Sequence, residues 1–94
     1  MPLRRQGDRL LLEGKLGIET VPAVLREARA ACRDGVRVVD LTGVSEVDSA
    51  ALALLVELLR ETRAAGREVT FANLPPAMEK LAQLYAVSDL IAGG

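Results

Sequence analysis

The run Val36-Arg37-Val38-Val39-Asp40-Leu41, closed off by Gly35 and Gly43, is followed almost at once by a long apolar-periodic segment from Ser49 to Ala65. No other feature of the chain limits its fold so strongly. A short stretch rich in β-branched residues and bordered by glycines predicts a buried central strand. The segment after it carries Leu52, Leu55, Val56 and Leu59 at i, i+3, i+4 and i+7, which predicts a helix that stops at Gly66. Asp48 and Ser49 then sit at the mouth of that helix, where free backbone N–H groups and the positive end of the helix dipole converge. Such a corner suits a cap, an anion or a phosphate.

The rest of the chain repeats the alternation. Arg9–Leu16 reads as a strand or small hairpin, with Leu10, Leu12 and Leu16 on one face and a bend or close approach at Gly14. A first helix is expected after Thr20 as N-cap, with Pro22 in its first turn and Val21, Val24, Leu25, Ala28 and Cys32 at helical spacing up to Gly35. Arg67–Asn73 reads as a further strand. Leu74-Pro75-Pro76 breaks it and opens a third helix, on which Met78, Leu81, Ala82 and Tyr85 share a face. Ser88–Ile91 is expected to add a short edge segment.

Strands separated by amphipathic helices imply parallel pairing through right-handed crossovers. With 94 residues the expectation is one domain, 1–94, of one sheet layer and one helix layer. Ligands and partners of such open sheets meet the carboxyl ends of the strands, an edge that here includes Thr42–Ser49.

Composition removes several functions. The net charge is -1, so the basic footprint expected of a nucleic-acid binder is missing. The chain has no histidine and one cysteine, Cys32, which argues against a transition-metal site and removes the commonest general base. Cys32 falls on an apolar helix stripe and is expected to be a small buried hydrophobe. A catalytic Ser49 would need a lysine base, and neither Lys15 nor Lys80 lies in a motif that brings it there. A receiver domain would match Asp40 near a strand end, but its metal-binding acidic pair and its lysine are not recognisable. Asp40 is instead expected to anchor loop backbone. Clustered glycines of a nucleotide-binding loop are absent. The apolar run Leu10-Leu11-Leu12 is too short for a signal peptide or a membrane span, so a cytoplasmic protein without direct membrane insertion is expected.

The second helix has an unusual start. At about 100° per residue its outward face carries Ala50, Ala53, Glu57, Arg60 and Glu61, with Leu54 beside them. Charge appears only from Glu57 onward. Either this end is buried within the domain, or Ala50, Ala53 and Leu54 form a close-packing surface for a partner beside Ser49.

Val38-Val39-Asp40-Leu41-Thr42-Gly43-Val44, Val47-Asp48-Ser49-Ala50-Ala51-Leu52, then Gly66, Val69, Asn73, Pro76, Leu81 and Tyr85-Ala86-Val87-Ser88-Asp89-Leu90 together resemble the STAS domain. This is the family of anti-sigma factor antagonists and of the cytoplasmic tails of sulfate transporters. The resemblance implies an α/β fold with a four- or five-stranded mixed sheet and helices packed mainly on one face. Antagonists of sigma regulation usually carry Asp-Ser-Ser-Gly or Asp-Ser-Thr-Gly, with the second hydroxyl residue phosphorylated by a kinase. Here that position is Ala50, which leaves Ser49 as the only acceptor at the motif. Asp48-Ser49-Ala50-Ala51-Leu52-Ala53-Leu54-Leu55 is more similar to the Asp-Thr-Gly-Gly-Leu-Ala-Leu-Leu of the stand-alone STAS subunits of Mla-type ABC transporters. Those transporters move phospholipid between the membranes of Gram-negative bacteria and maintain outer-membrane lipid asymmetry.

That branch implies a non-catalytic, cofactor-free subunit held at the inner membrane through the transporter's ATPase. Asp48, Ser49, Ala50, Ala53, Leu54 and Glu57 are then the expected contact residues. The sigma-regulatory branch implies an anti-sigma kinase as partner instead. The apolar patch also leaves room for a homodimer.

Overall fold

The computed structural model describes residues 3–92. β1 (Leu3–Gln6) turns back into β2 (Arg9–Leu16); then follow α1 (Val21–Arg33), β3 (Val38–Val47), α2 (Ser49–Ala64), β4 (Thr70–Ala72), α3 (Pro76–Leu84) and α4 (Ser88–Ala92). The four strands form one mixed sheet in the order β1-β2-β3-β4. β1 pairs antiparallel with β2, and β2 with β3 and β3 with β4 run parallel. Because the strand order advances in one direction, two right-handed crossovers must place α1 and α2 on the same side of the sheet. An ion pair between them agrees: Arg29 Nε donates to Glu61 Oε1 at 2.7 Å.

Register sorts the strand residues into two faces. Leu10, Val39 and Phe71 lie side by side across the sheet, and Leu10 and Val39 are fully buried beneath the helices. Leu12, Leu16 and Leu41 join them, with Val24, Leu55, Leu58, Met78 and Ile91 from the helices, in one continuous core. Each fully buried side chain of this size contributes roughly 1.5–3 kcal/mol. The neighbouring row, Leu11, Asp40 and Ala72, faces the other way. That face is held by polar contacts, among them the Arg9–Asp40 pair at 2.7 Å.

Several details differ from the sequence expectation, and β4 spans only Thr70–Ala72 of the expected Arg67–Asn73 strand. The central strand does not end at Leu41; it continues to Val47 along β2, with register shifts between Leu11 and Glu13 and between Gly14 and Lys15. The exposed residues of Thr42–Glu46 hide this half from any apolar-period test, and β4 is too short to pair with it. β1 was not expected at all, because Arg4, Arg5 and Gln6 form an exposed polar edge. Thr20 flanks α1 but does not cap it: its hydroxyl donates to Lys15 O and accepts from the Gly17 N–H at 3.0 Å, closing the preceding turn. Tyr85 is the C-cap of α3 and is exposed, since the helix ends before it can turn inward. Ser88–Ala92 is a short helix that buries Ile91. Among the described residues no helix is long and apolar enough to cross a membrane.

Candidate functional site

Asp48 caps α2. In extended conformation, its Oδ1 accepts the Ala50 N–H at 2.8 Å and its main-chain carbonyl accepts the Ala51 N–H at 3.0 Å. Its other oxygen, Oδ2, accepts the N–H of Ile18 at 3.0 Å. One carboxylate therefore ties the start of α2 to the loop after β2, joining the carboxyl ends of two neighbouring parallel strands. A Cβ on Gly17 would lie 2.7 Å from Asp48 Oδ2, so only glycine lets the loop approach so closely. The Ile18 N–H, followed by those of Ala50 and Ala51 and the charge of Lys15, holds the Asp48 carboxyl below the usual carboxylate range against its partial desolvation.

The brace displays Ile18. Its side chain is 75% exposed, in a short loop beside the start of α2. Sequence reasoning missed this residue; the only available signal was an isolated branched apolar residue between Gly17 and Glu19.

The expected contact residues divide. Ser49 and Ala53 are exposed one turn apart, and Ala50 and Glu57 are half-buried on the flank toward α1. Leu54 is the exception: it is 1% exposed and belongs to the core, not to the outward face. Packing of α1 against α2 is the cause. The sheet alone would bury a stripe through Ala51, Leu55 and Leu59, but α1 widens the buried arc to roughly 160° and takes in Leu54 and Leu58. What remains outward is Ser49, Ala53 and Arg60, with Val56 and Glu57 at its margins. Glu57 Oε2 lies 3.6 Å from Arg60 Nη1, an exposed pair of little energetic weight.

Asp40 does anchor the neighbouring turn. Oδ1 accepts the Thr42 N–H at 2.9 Å, the Thr42 hydroxyl at 2.6 Å and the Asn73 amide at 3.1 Å, and Oδ2 accepts from Arg9 at 2.7 Å. These donors, the Thr42 hydroxyl foremost, hold its carboxyl far below the usual range although burial opposes them. It is thus a satisfied structural acid joining β2, β3 and the end of β4. Among the described residues no side chain hydrogen-bonds the Ser49 hydroxyl, and no group of three or more His, Cys, Asp or Glu side chains is placed to share a metal ion. The corner can cap a helix and offer a small-residue surface with one free hydroxyl.

A mixed four-stranded sheet with its helices on one side and an Asp-capped α2 at the β3 corner defines a class, and the sequence comparison agrees with it. The chain matches the family described as "Mlab, STAS domain" over residues 2–92, and it belongs to the STAS-domain family. It is 37% identical over 79 residues to the "Intermembrane phospholipid transport system binding protein MlaB" of Escherichia coli K12, covering 84% of this chain and 80% of that one. Among solved structures, the Thermotoga maritima protein tm1081 has a TM-score of 0.75 at 18% identity, covering 97% of this chain and 82% of the other. The unphosphorylated anti-sigma factor antagonist SpoIIAA has a TM-score of 0.64 at 22% identity, covering 87% and 80%. The fold also recurs within a longer chain, Mglu, of which the match covers only 19%, at 29% identity over 79% of this chain and a TM-score of 0.59.

Proposed function

We propose that this protein is a non-catalytic subunit of an Mla-type phospholipid ABC transporter. It works in the cytoplasm, where it binds the transporter's ATPase through the outward start of α2. The observation that carries the reading is the juxtaposition at the Asp48 brace of an exposed branched side chain, Ile18, with the small exposed residues Ser49 and Ala53. An apolar knob beside a surface free of long side chains lets a partner helix approach closely, and a fixed loop spares the ordering cost of binding. Ser49 supplies a polar contact at the rim, and Ala50 and Glu57 border the surface. The 37% identity to MlaB supports the choice of partner.

Co-expression with the ATPase of such a transporter tests the reading. A complex that survives gel filtration is expected, and full separation of the two proteins contradicts it.

The sigma-regulatory alternative rests on the exposed Ser49 hydroxyl at the first position of α2 and on the fold shared with SpoIIAA. It predicts a lasting phosphate on Ser49 after incubation with an anti-sigma kinase and ATP, read by mass spectrometry. Ala50 at the position of the usual acceptor favours the transporter reading.

A further inference from the structure

At the other end of the domain, where α1 and α2 finish and β3 and β4 begin, two adjoining hollows of about 350 and 560 Å³ share Cys32, Arg33 and Arg67. The first lies over Leu58 and Ala65 and is bordered by Arg29; the second opens past Val36 and Arg37. Together they make a furrow that is mainly apolar in its first half and more polar in its second, with four arginines along its walls. Arg29 is neutralised by Glu61, 2.7 Å away. Arg33, Arg37 and Arg67 are exposed and, among the described residues, have no carboxylate within ion-pairing distance. Glu68 is the remaining acidic group on the walls. Backbone N–H groups close both helix ends, those of Asp34, Gly35 and Val36 on α1 and those of Ala65, Gly66 and Arg67 on α2, so the three guanidinium groups are not taken up in capping.

We infer that this furrow is a second docking site, which takes an extended acidic segment of a partner protein carrying an apolar residue among its carboxylates. Charge complementarity sets the sign of the occupant, because three cations stand free around a concave, partly apolar surface. Shape selects among anions. Exposed arginines without supporting hydrogen bonds are not preorganised for a single phosphate, and a furrow recessed between two helix ends cannot meet a flat bilayer surface. An extended chain follows the furrow, places its carboxylates against Arg33, Arg37 and Arg67, and packs its apolar side chain into the first hollow, against Ala65 and the arginine stems. Along α2 this site begins roughly 14 Å from Ser49, at Leu58, and ends roughly 24 Å from it, at Ala65, so both ends can be engaged at once.

The test uses the whole chain and the fluorescein-labelled peptide acetyl-Glu-Asp-Glu-Leu-Asp-Glu-Leu-Glu-amide. Saturable binding is expected by anisotropy, weakening with added salt, with amide shifts at Gly35, Arg37, Gly66 and Arg67 in nitrogen–proton spectra. The Arg33→Gln, Arg67→Gln variant should bind at least about tenfold more weakly, whereas Arg26→Gln, Lys80→Gln, with the same change in net charge, should not. Equal weakening in both variants, or no binding at all, overturns the inference. So does pyrophosphate shifting the same amides at lower concentration than the peptide, which assigns the furrow to a small oxyanion. Phosphatidylglycerol vesicles that retain the wild-type chain but not the Arg33, Arg67 variant assign it to a membrane and overturn it as well.

Discussion

Asp48 accepts the backbone N–H of Ile18 at 3.0 Å with one carboxylate oxygen while the other caps α2 through Ala50 at 2.8 Å. The residue that starts the helix therefore also sets the height of the apolar knob beside it. Changing Asp48 to Asn keeps a cap acceptor but weakens the second contact, because an amide presents one acceptor oxygen instead of two. Both variants should lower the urea midpoint, Asp48→Ala more than Asp48→Asn. Hydrogen exchange at Ile18 should accelerate in both, and unchanged exchange contradicts the brace.

Leu54 and Ala53 are neighbours in sequence with opposite roles. Leu54→Ala empties a fully buried site and should cost about 2–5 kcal/mol in urea unfolding. Ala53→Ser changes an exposed surface and should stay within about 0.5 kcal/mol of the native stability. Equal effects would return Leu54 to the outward face.

Asp40 joins three segments by accepting from Arg9, Thr42 and Asn73, and is only 8% exposed. Asp40→Ala leaves several donors unpaired and should cost about 2–3 kcal/mol, less than a fully buried ion pair because Arg9 is partly solvated. Asn73→Ala removes one of its donors and should cost about 1 kcal/mol. Equilibrium unfolding measures both.

Acid should destabilise the fold through the same groups. Asp40, Asp48 and Glu61 all have carboxyls lowered in the folded state, so the folded form binds fewer protons than the unfolded one. Their contribution is complete above the unfolded carboxylate range and is lost as pH falls from about 4 through the lowered folded values. A thermal melting series from pH 7 downward should stay level until that range and then drop. In Asp40→Asn the drop should be shallower.

Much of the architecture was legible because the periods were clean. Val39 and Leu41 against Ser49–Ala64 gave strand and helix directly, and the alternation of elements gave parallel pairing. Local pattern failed where tertiary contacts decide. Thr42–Glu46 is a strand by virtue of β2 beside it, and β1 exists because it pairs with β2. At the site, a cap by Asp48 or Ser49 and the exposure of Ala53 followed from position on the helix, whereas the choice of Asp48 as the cap rests on its contacts in the fold. The burial of Leu54 depends on α1, and the exposure of Ile18 depends on a carboxylate thirty residues away. No window of sequence contains either relationship.

In the proposed function, the exposed start of α2 is the surface that binds the transporter's ATPase. Isothermal titration of the purified ATPase with wild-type chain and with Ala53→Glu, checked for equal unfolding midpoints, tests it most directly. A bulky charge in the middle of a close-packed interface should weaken binding by at least about a hundredfold, with Ile18→Ala showing a smaller loss. An Ala53→Glu protein that is fully folded and binds the ATPase as tightly as wild type contradicts the account.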